Sequence, residues 1–117
     1  MYFGRDFSEV APGEIFDAWF DFARDLRPGS TAVISSATFT LEVVDTDTGA
    51  TEDSSPSSQL SGSASIESST ISERNTVAVQ RIDTPVVGNR YLIKCLATFD
   101  DGQKLQAHSH FWCRPAS

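Results

Sequence analysis

Residues 89–113 constrain the fold more than any other stretch, because they read NRYLIKCLATFDDGQKLQAHSHFWC. Apolar and polar side chains alternate on both sides of an Asp-Asp-Gly sequence, and alternation with period two is typical of β-strands. The stretch therefore predicts two long strands joined by a tight turn. The predicted inward set is Tyr91, Ile93, Cys95, Ala97 and Phe99 on the first strand, and Leu105, Ala107, Ser109 and Phe111 on the second.

Only one register of this hairpin brings the inward sets together. A two-residue turn at Asp101-Gly102 would place Cys95 opposite His108 and turn both histidines inward. A slip of one residue moves every side chain to the other face, so a three-residue loop over 100–102 is predicted. In that loop Gly102 supplies the positive φ that a type I turn with a G1 bulge needs. The resulting pairs are Cys95–Ala107, Ile93–Ser109 and Tyr91–Phe111.

The same register bears on the two cysteines, Cys95 and Cys113. Cys113 lies six positions beyond the residue opposite Cys95, which is a gap of about 20 Å at the usual strand rise. A disulfide needs a Cα separation of at most about 7 Å, so both thiols are predicted to be free. Cys95 is expected to be a small core residue. Cys113 is expected to be more accessible, and a contact with a partner subunit stays open for it.

Length and charge narrow the class of protein. A chain of 117 residues suits one domain. No run reaches the roughly 18 apolar residues of a membrane span, and MYFGRDFSEV lacks the apolar segment of a signal peptide. We therefore expect a protein made in a cytosol and without a membrane span. The formal charge of −7 argues against nucleic-acid binding, which needs clustered Lys and Arg, and suits solubility or docking on a basic partner.

Residues 14–22 are predicted to form the first strand of the domain. A helix is the alternative for this segment, but strict alternation and aromatic residues favour a strand. The inward set is Phe16, Ala18, Phe20 and Phe22. Trp19 falls on the opposite, polar face, where it either contacts a partner or is covered by a neighbouring loop.

The rest of the chain adds further short strands. A strand over 33–44 points Ala37, Phe39, Leu41 and Val43 inward. Short strands are expected at 63–66 and 70–72, and another at 76–82 with Val77 and Val79 as core residues. Six or seven strands without a convincing helix predict an all-β sandwich of two antiparallel sheets, covering residues 14–117.

Residues 1–13 are predicted to form an extended N-terminal arm ahead of the sandwich. Tyr2, Phe3 and Phe7 place three aromatic side chains within a few residues, and Pro12-Gly13 closes the segment. These aromatic side chains either fold back over an open sheet edge or dock on another subunit. The sequence leaves both possibilities open.

The two histidines, His108 and His110, lie two positions apart and are predicted to face outward together with Trp112. A zinc site needs three or four ligands, and Arg90 and Lys94 on the neighbouring strand would repel a cation. A contact with a protein partner is therefore the favoured role. An acidic loop over 45–58 fails the spacing of a calcium-binding EF-hand loop. No nucleophile elbow or phosphate-binding loop is present, so neither an enzyme nor a cofactor is expected.

Three stretches of the chain carry a resemblance to a known family. They are FDFARDLRPGSTAVISSATFTLEV over 20–43, SSQLSGSASIESSTISERNT over 57–76 and VGNRYLIKCLATFDDGQKL over 87–105. Their shared elements are Asp-Leu-x-x-Gly (Asp25, Leu26, Gly29), Leu-Ser-Gly-x-Ala (Leu60–Ala64) and Tyr-Leu-x-x-Cys (Tyr91–Cys95). The chain resembles the fiber-tail adaptor proteins of tailed phages and prophages, which are small and immunoglobulin-like.

The resemblance implies a non-enzymatic protein in the tail region of a virion that is assembled in the host cytoplasm. Such an adaptor joins fiber to tail or neck, in multiple copies arranged as a ring. The candidate partner-binding residues are Tyr2, Phe3, Phe7, Trp19, His108, His110 and Trp112. The alternative is a carbohydrate- or metal-binding β-sandwich module of a cellular protein, which would use Trp19, Trp112 and the histidine pair.

Overall fold

Two stacked β-sheets make up the part of the chain that the computed structural model describes, residues 9–83 and 85–115. The elements are β1 (Glu9–Val10), β2 (Ile15–Asp21), β3 (Ile34–Thr46), a 3-10 helix (Pro56–Gln59), β4 (Leu60–Glu67), β5 (Val77–Asp83), β6 (Asn89–Phe99) and β7 (Lys104–Cys113). One sheet has the order β1-β7-β6-β3 and the other β2-β5-β4. The prediction of an all-β sandwich of about seven strands is confirmed. Across the described ranges, no helix is long and apolar enough to cross a bilayer.

The hairpin of β6 and β7 adopts the predicted register. Its inward pairs are Cys95–Ala107, Ile93–Ser109 and Tyr91–Phe111. Residues 100–102 form the connecting loop, in which the Gly102 amide donates to the Phe99 carbonyl at 3.0 Å. Gly102 has the expected positive φ of 88°. The inward side chains of β6 are buried, so this hairpin forms the inner wall of the four-stranded sheet.

An apolar core fills the space between the two sheets. Three aromatic pairs join them, Phe20–Phe39 at 6.1 Å between ring centroids, Phe22–Phe99 at 6.0 Å and Phe16–Phe111 at 5.4 Å. Such pairs contribute about 1 kcal/mol each beyond the burial of their area. The predicted inward face of β2 is confirmed, since Phe20 and Phe22 are buried and Phe16 is half-buried against the core.

A buried polar cluster closes one end of the sandwich. The Asn89 amide nitrogen donates to the Thr51 carbonyl at 2.9 Å, and its oxygen accepts from the Asp53 amide at 3.2 Å. The Tyr91 hydroxyl donates to the Asp53 carboxylate at 2.8 Å and accepts from the Val86 amide at 2.8 Å. Burial is the main reason why the pKa of Tyr91 is raised. The cluster ties the segment around Asp53 to the start of β6.

The inward face of β5 differs from the prediction. Val77 and Val79, predicted to lie in the core, face outward and are half-buried, while Ala78, Gln80 and Ile82 are buried. The Gln80 amide nitrogen donates to the carbonyls of Ser61 and Gly62 at 3.1 and 3.2 Å. A bulge of β4 interrupts the pairing with β5 at this point. The inward Gln80 therefore donates hydrogen bonds to the carbonyls of the bulge, and the alternation along β5 places Val77 and Val79 on the outer face.

A turn replaces the short strand predicted at residues 70–72. The Ser69 hydroxyl oxygen accepts from the amides of Ile71 at 2.9 Å and Ser72 at 3.2 Å. Such serine contacts offer the backbone an alternative to extended pairing. The strand predicted at 63–66 is part of the longer β4.

Part of the predicted arm belongs to the four-stranded sheet. Glu9 and Val10 form β1, which runs parallel to Trp112 and Cys113 of β7. Val10 is buried, and its carbonyl accepts from the Arg114 amide at 3.0 Å.

Both cysteines are free, as predicted, and both are buried. The expectation that Cys113 is accessible is wrong, because its exposed fraction is 0%. Its Sγ lies 3.3 Å from the Pro85 carbonyl oxygen, and β1 covers the adjacent edge of β7. Burial raises the pKa of both thiols, that of Cys95 to about 12, so both are protonated at neutral pH.

Candidate interaction surfaces

The outer face of the four-stranded sheet carries a stripe of predicted partner contacts, which we call the histidine stripe. It consists of His108, His110 and Trp112, which lie opposite Lys94, Leu92 and Arg90 of β6. The rings of the two histidines meet edge to face, with centroids 6.2 Å apart. His108 is exposed, and His110 and Trp112 are half-buried. The structure thus brings three of the predicted residues together on one face.

Trp112 is held in place by Arg114. The guanidinium carbon of Arg114 lies 3.9 Å from the centroid of the Trp112 ring. The same guanidinium contacts Asp47 at 3.1 Å and Glu9 at 3.6 Å, and the hydrogen bond to Asp47 is the main cause of the raised pKa of Arg114. In a cation–π contact of this kind the positive charge is attracted to the electron-rich face of the ring. Arg114 therefore covers one face of the indole.

A shallow groove of about 290 Å³ lies beside the histidine stripe, between β3 and β7. Leu96 contributes an apolar wall and is 46% exposed. Lys94, which also lines the groove, pairs with the Glu42 carboxylate at 3.0 Å. The described charged residues on and around this face are four cations and four anions, namely Arg90, Lys94, Lys104, Arg114 and Glu9, Glu42, Asp45, Asp47. This face is therefore neutral, although the chain carries a charge of −7.

The outer face of the three-stranded sheet carries Trp19 on its edge strand β2. Trp19 lies in one row with Val79 and Ser65, and the next row contains Asp21, Val77 and Glu67. The side chain of Trp19 is 39% exposed. Its indole, Val77 and Ile71 form apolar walls of a groove of about 300 Å³, whose other lining residues are Asp21, Arg24, Ser68 and Thr70. We call this the Trp19 groove.

A second depression adjoins the Trp19 groove on the same face. It has a volume of about 350 Å³, and Asp17, Glu67 and Arg81 line it together with serines of β4. Arg81 and Asp17 form an ion pair at 3.2 Å, an exposed contact of the kind that contributes about 0.2–1 kcal/mol. This depression is polar, in contrast with the apolar walls around Trp19.

Asp21 builds one wall of the Trp19 groove, and the sequence did not indicate it. Although Asp21 is on the outer face, it is only 8% exposed. Its carboxylate accepts hydrogen bonds from the Ser69 hydroxyl, from the Thr76 hydroxyl at 3.0 Å and from the Ala23 amide at 3.0 Å. These bonds hold the turn after β4 against the sheet, so that Ile71 lines the same groove as Trp19. The serine-rich run over 68–72 is the signal that could have suggested such a contact.

The arm residues Tyr2, Phe3 and Phe7 lie outside the described residues, so their predicted docking role stays a prediction. Within 9–83 and 85–115, no group of three His, Cys, Asp or Glu side chains is placed to hold a metal ion.

A scan against models of protein families finds none that matches this chain, and a search of curated proteins finds no significant match.

Proposed function

We propose that this chain is a non-enzymatic structural protein of a tailed-phage virion, an adaptor that joins fiber to tail or neck through protein–protein contacts. The observation that carries the proposal is the placement of two tryptophans. Trp112 lies in the histidine stripe of one sheet, and Trp19 lies on the outer face of the other. Tryptophan is enriched in protein interfaces, and an adaptor needs two surfaces, one for each protein it joins.

The strand arrangement supports the immunoglobulin-like part of the proposal. In immunoglobulin domains the second, fifth and fourth strands form one sheet and the third, sixth and seventh the other, and a tyrosine near the start of the sixth bonds to the backbone upstream. Here β2, β5 and β4 form one sheet and β3, β6 and β7 belong to the other. The Tyr91 hydroxyl accepts from the Val86 amide. β1 departs from that arrangement, because it pairs with β7.

Repetition supplies affinity in an adaptor of this kind. Copies that surround a tail or neck bind their partners in parallel, and multivalent attachment can raise affinity about 100-fold or more without new contacts. The three stretches that resemble fiber-tail adaptor proteins include most of β3, all of β4 and β6, and the 3-10 helix except Pro56. They therefore include strands of both sheets, although β1 and β5 lie outside them.

Incorporation into particles tests this proposal. Virions of the phage or prophage that encodes the chain are purified on a density gradient, and the protein is located by mass spectrometry and immunogold labelling. We expect several copies per particle at the tail or neck. Trp112→Ala is expected to keep the native circular dichroism spectrum but to lower occupancy at least tenfold. Ser36→Ala, on the same sheet face but in β3, is the matched control and should leave occupancy unchanged.

Absence of the protein from purified particles contradicts the proposal, as do normal infectious particles made without its gene. The alternative, a carbohydrate- or metal-binding module of a cellular protein, predicts binding heat in calorimetry with zinc, calcium or a glycan panel. A signal that disappears in Trp19→Ala or His108→Ala would replace the adaptor proposal.

A further inference from the structure

We propose that the Trp19 groove binds a short segment of a partner protein in which a large apolar side chain stands next to a lysine or arginine. The inference rests on the adaptor function proposed above, of which it specifies one surface and the chemistry of its partner. It is carried by the shape of the groove, the hydrogen bonds of its polar wall and the charge of the surrounding face.

The apolar part of the ligand is indicated by the walls of the groove. Trp19 is 39% exposed and Ile71 is 53% exposed, and Val77 is half-buried in the same groove. These side chains come from two strands and a turn, and they meet around a concave space of about 300 Å³. An apolar side chain seated there would remove all three surfaces from water, which is the main favourable contribution to most protein association.

The polar wall of the groove favours a peptide over a saccharide. Both carboxylate oxygens of Asp21 already accept hydrogen bonds, from Ser69 on one side and from Thr76 and the Ala23 amide on the other. A sugar needs several polar groups directed at its hydroxyls. The walls formed by Ile71 and Val77 offer none, which leaves Arg24, Ser68 and Thr70 besides Asp21. An apolar side chain makes no such demand and fits the walls that are present.

The net negative charge of this outer face favours a lysine or arginine next to the apolar side chain of the ligand. The described charges on the outer face of the three-stranded sheet are Asp17, Asp21, Glu67 and Asp83 against Arg81. Arg81 is already paired with Asp17 at 3.2 Å. Arg24 adds one cation at the groove, so the face still carries a net negative charge. A lysine or arginine of the ligand is attracted to Glu67 and can also lie over the Trp19 ring.

Two capped hexapeptides test the inference, acetyl-Leu-Lys-Leu-Lys-Leu-Lys-amide and its counterpart with glutamate in place of lysine. Binding to the full chain is followed by tryptophan fluorescence in a Trp112→Phe background, which leaves Trp19 as the single tryptophan because the chain has two. We expect the lysine peptide to bind at least tenfold more tightly than the glutamate peptide. Glu67→Gln should weaken the lysine peptide at least threefold, and Arg24→Gln should strengthen it.

Calorimetry with Trp19→Ala and Leu96→Ala supplies the site control. Both residues are exposed apolar side chains on outer faces, 39% and 46% exposed, so each variant should retain the native circular dichroism spectrum. We expect Trp19→Ala to abolish measurable binding and Leu96→Ala, on the four-stranded sheet, to leave it unchanged.

Equal affinity for the two peptides, unchanged affinity in Glu67→Gln, or equal loss in Leu96→Ala would overturn the inference. Saturable binding of maltohexaose or cellohexaose that Trp19→Ala removes would also overturn it, in favour of a saccharide. Concentration-dependent self-association that the same substitution removes would assign the groove to a second copy of the chain. None of these results alters the incorporation assay with Trp112→Ala, so the inference and the adaptor proposal can fail separately.

Discussion

The two sheets of the sandwich differ in how regularly their strands pair. In the four-stranded sheet β6 and β7 pair at nine consecutive positions, and the inward side chains of β6 from Tyr91 to Phe99 form a buried, mainly apolar row, while the polar Asn89 is buried at the start of the strand. In the three-stranded sheet Asp21 and Gln80 are buried and hydrogen-bonded, while Trp19 and Ile15 are exposed. The first sheet therefore has an unbroken backbone ladder between β6 and β7, whereas in the second a bulge interrupts the ladder between β4 and β5, and side-chain hydrogen bonds of Asp21 and Gln80 add to it. The difference separates the part of the molecule that fixes the fold from the part that shapes the Trp19 groove.

The largest effect is expected for Asp21, whose carboxylate accepts three hydrogen bonds. Asp21→Ala should lower the free energy of unfolding by about 3 kcal/mol, because it leaves the Ser69 and Thr76 hydroxyls without their acceptor. Urea unfolding followed by circular dichroism measures this loss. Asp17→Ala, on the same strand, removes an exposed ion pair and should cost at most about 1 kcal/mol. Equal losses in the two variants would mean that the buried hydrogen bonds of Asp21 contribute no more to stability than an exposed ion pair.

A smaller effect is expected for the inward glutamine of β5. Gln80→Ala should cost about 2 kcal/mol, since it removes the donor to the Ser61 and Gly62 carbonyls and also leaves a cavity. Ile93→Val in the four-stranded sheet removes one buried methylene and should cost about 1 kcal/mol. Gln80→Leu retains most of the side-chain volume, so the decrease in its free energy of unfolding reports the lost hydrogen bonds alone. In this variant, hydrogen exchange should show weaker protection of the β4 amides and unchanged protection of the β6 amides. If Gln80→Leu were as stable as the native chain, the hydrogen bonds of Gln80 to the β4 bulge would not stabilise the fold.

The smallest effect is expected for Asp25. One oxygen of its carboxylate lacks, among the described residues, hydrogen bonds of the kind that Asp21 accepts. Oδ2 of Asp25 is buried and has no hydrogen-bond partner among the described residues. Desolvation is the main cause that raises the pKa of Asp25 above its ordinary value, and the charge of Asp21 adds to it. A carboxyl whose pKa is higher in the folded state reduces stability once the pH exceeds its unfolded pKa, and this cost vanishes at lower pH. Asp25→Asn should therefore be slightly more stable than the native chain at neutral pH.

The pH dependence of that gain is the decisive measurement. Urea midpoints for the native chain and for Asp25→Asn should differ at about pH 7 and converge at about pH 3, below the usual carboxyl pKa. A gain of equal size at both pH values would mean that the substitution acts through packing and not through charge.

The same difference between the sheets explains how far the sequence could predict the fold. The alternation in β6 and β7 is unbroken, so the register that pairs Cys95 with Ala107 follows from the residues alone. In β5 the pattern allows two faces, one with Val77 and Val79 and one with Gln80. The prediction that Val77 and Val79 point inward is wrong. Gln80 points inward because it donates hydrogen bonds to carbonyls at the bulge in β4, and the sequence of β5 does not indicate that bulge.

The candidate surfaces, like the fold, could be predicted from the sequence only in part. Period-two alternation correctly turns Trp19, His108 and Trp112 outward. The Trp19 groove also needs Ile71, and Ile71 reaches it through a turn whose serine contacts Asp21, 48 residues earlier in the chain. No local pattern specifies a contact between residues so far apart.

The parallel pairing of β1 with β7 also determines how the fold bears tension. Glu9 and Val10 run in the same direction as Trp112 and Cys113, so the flanking chain leaves this strand pair at opposite ends. A force that pulls residues 9 and 114 apart then acts along the strands and loads their hydrogen bonds in shear. The bond from the Arg114 amide to the Val10 carbonyl is loaded together with them. Bonds loaded in this way share the force, whereas those of a hairpin pulled from its open end break one at a time.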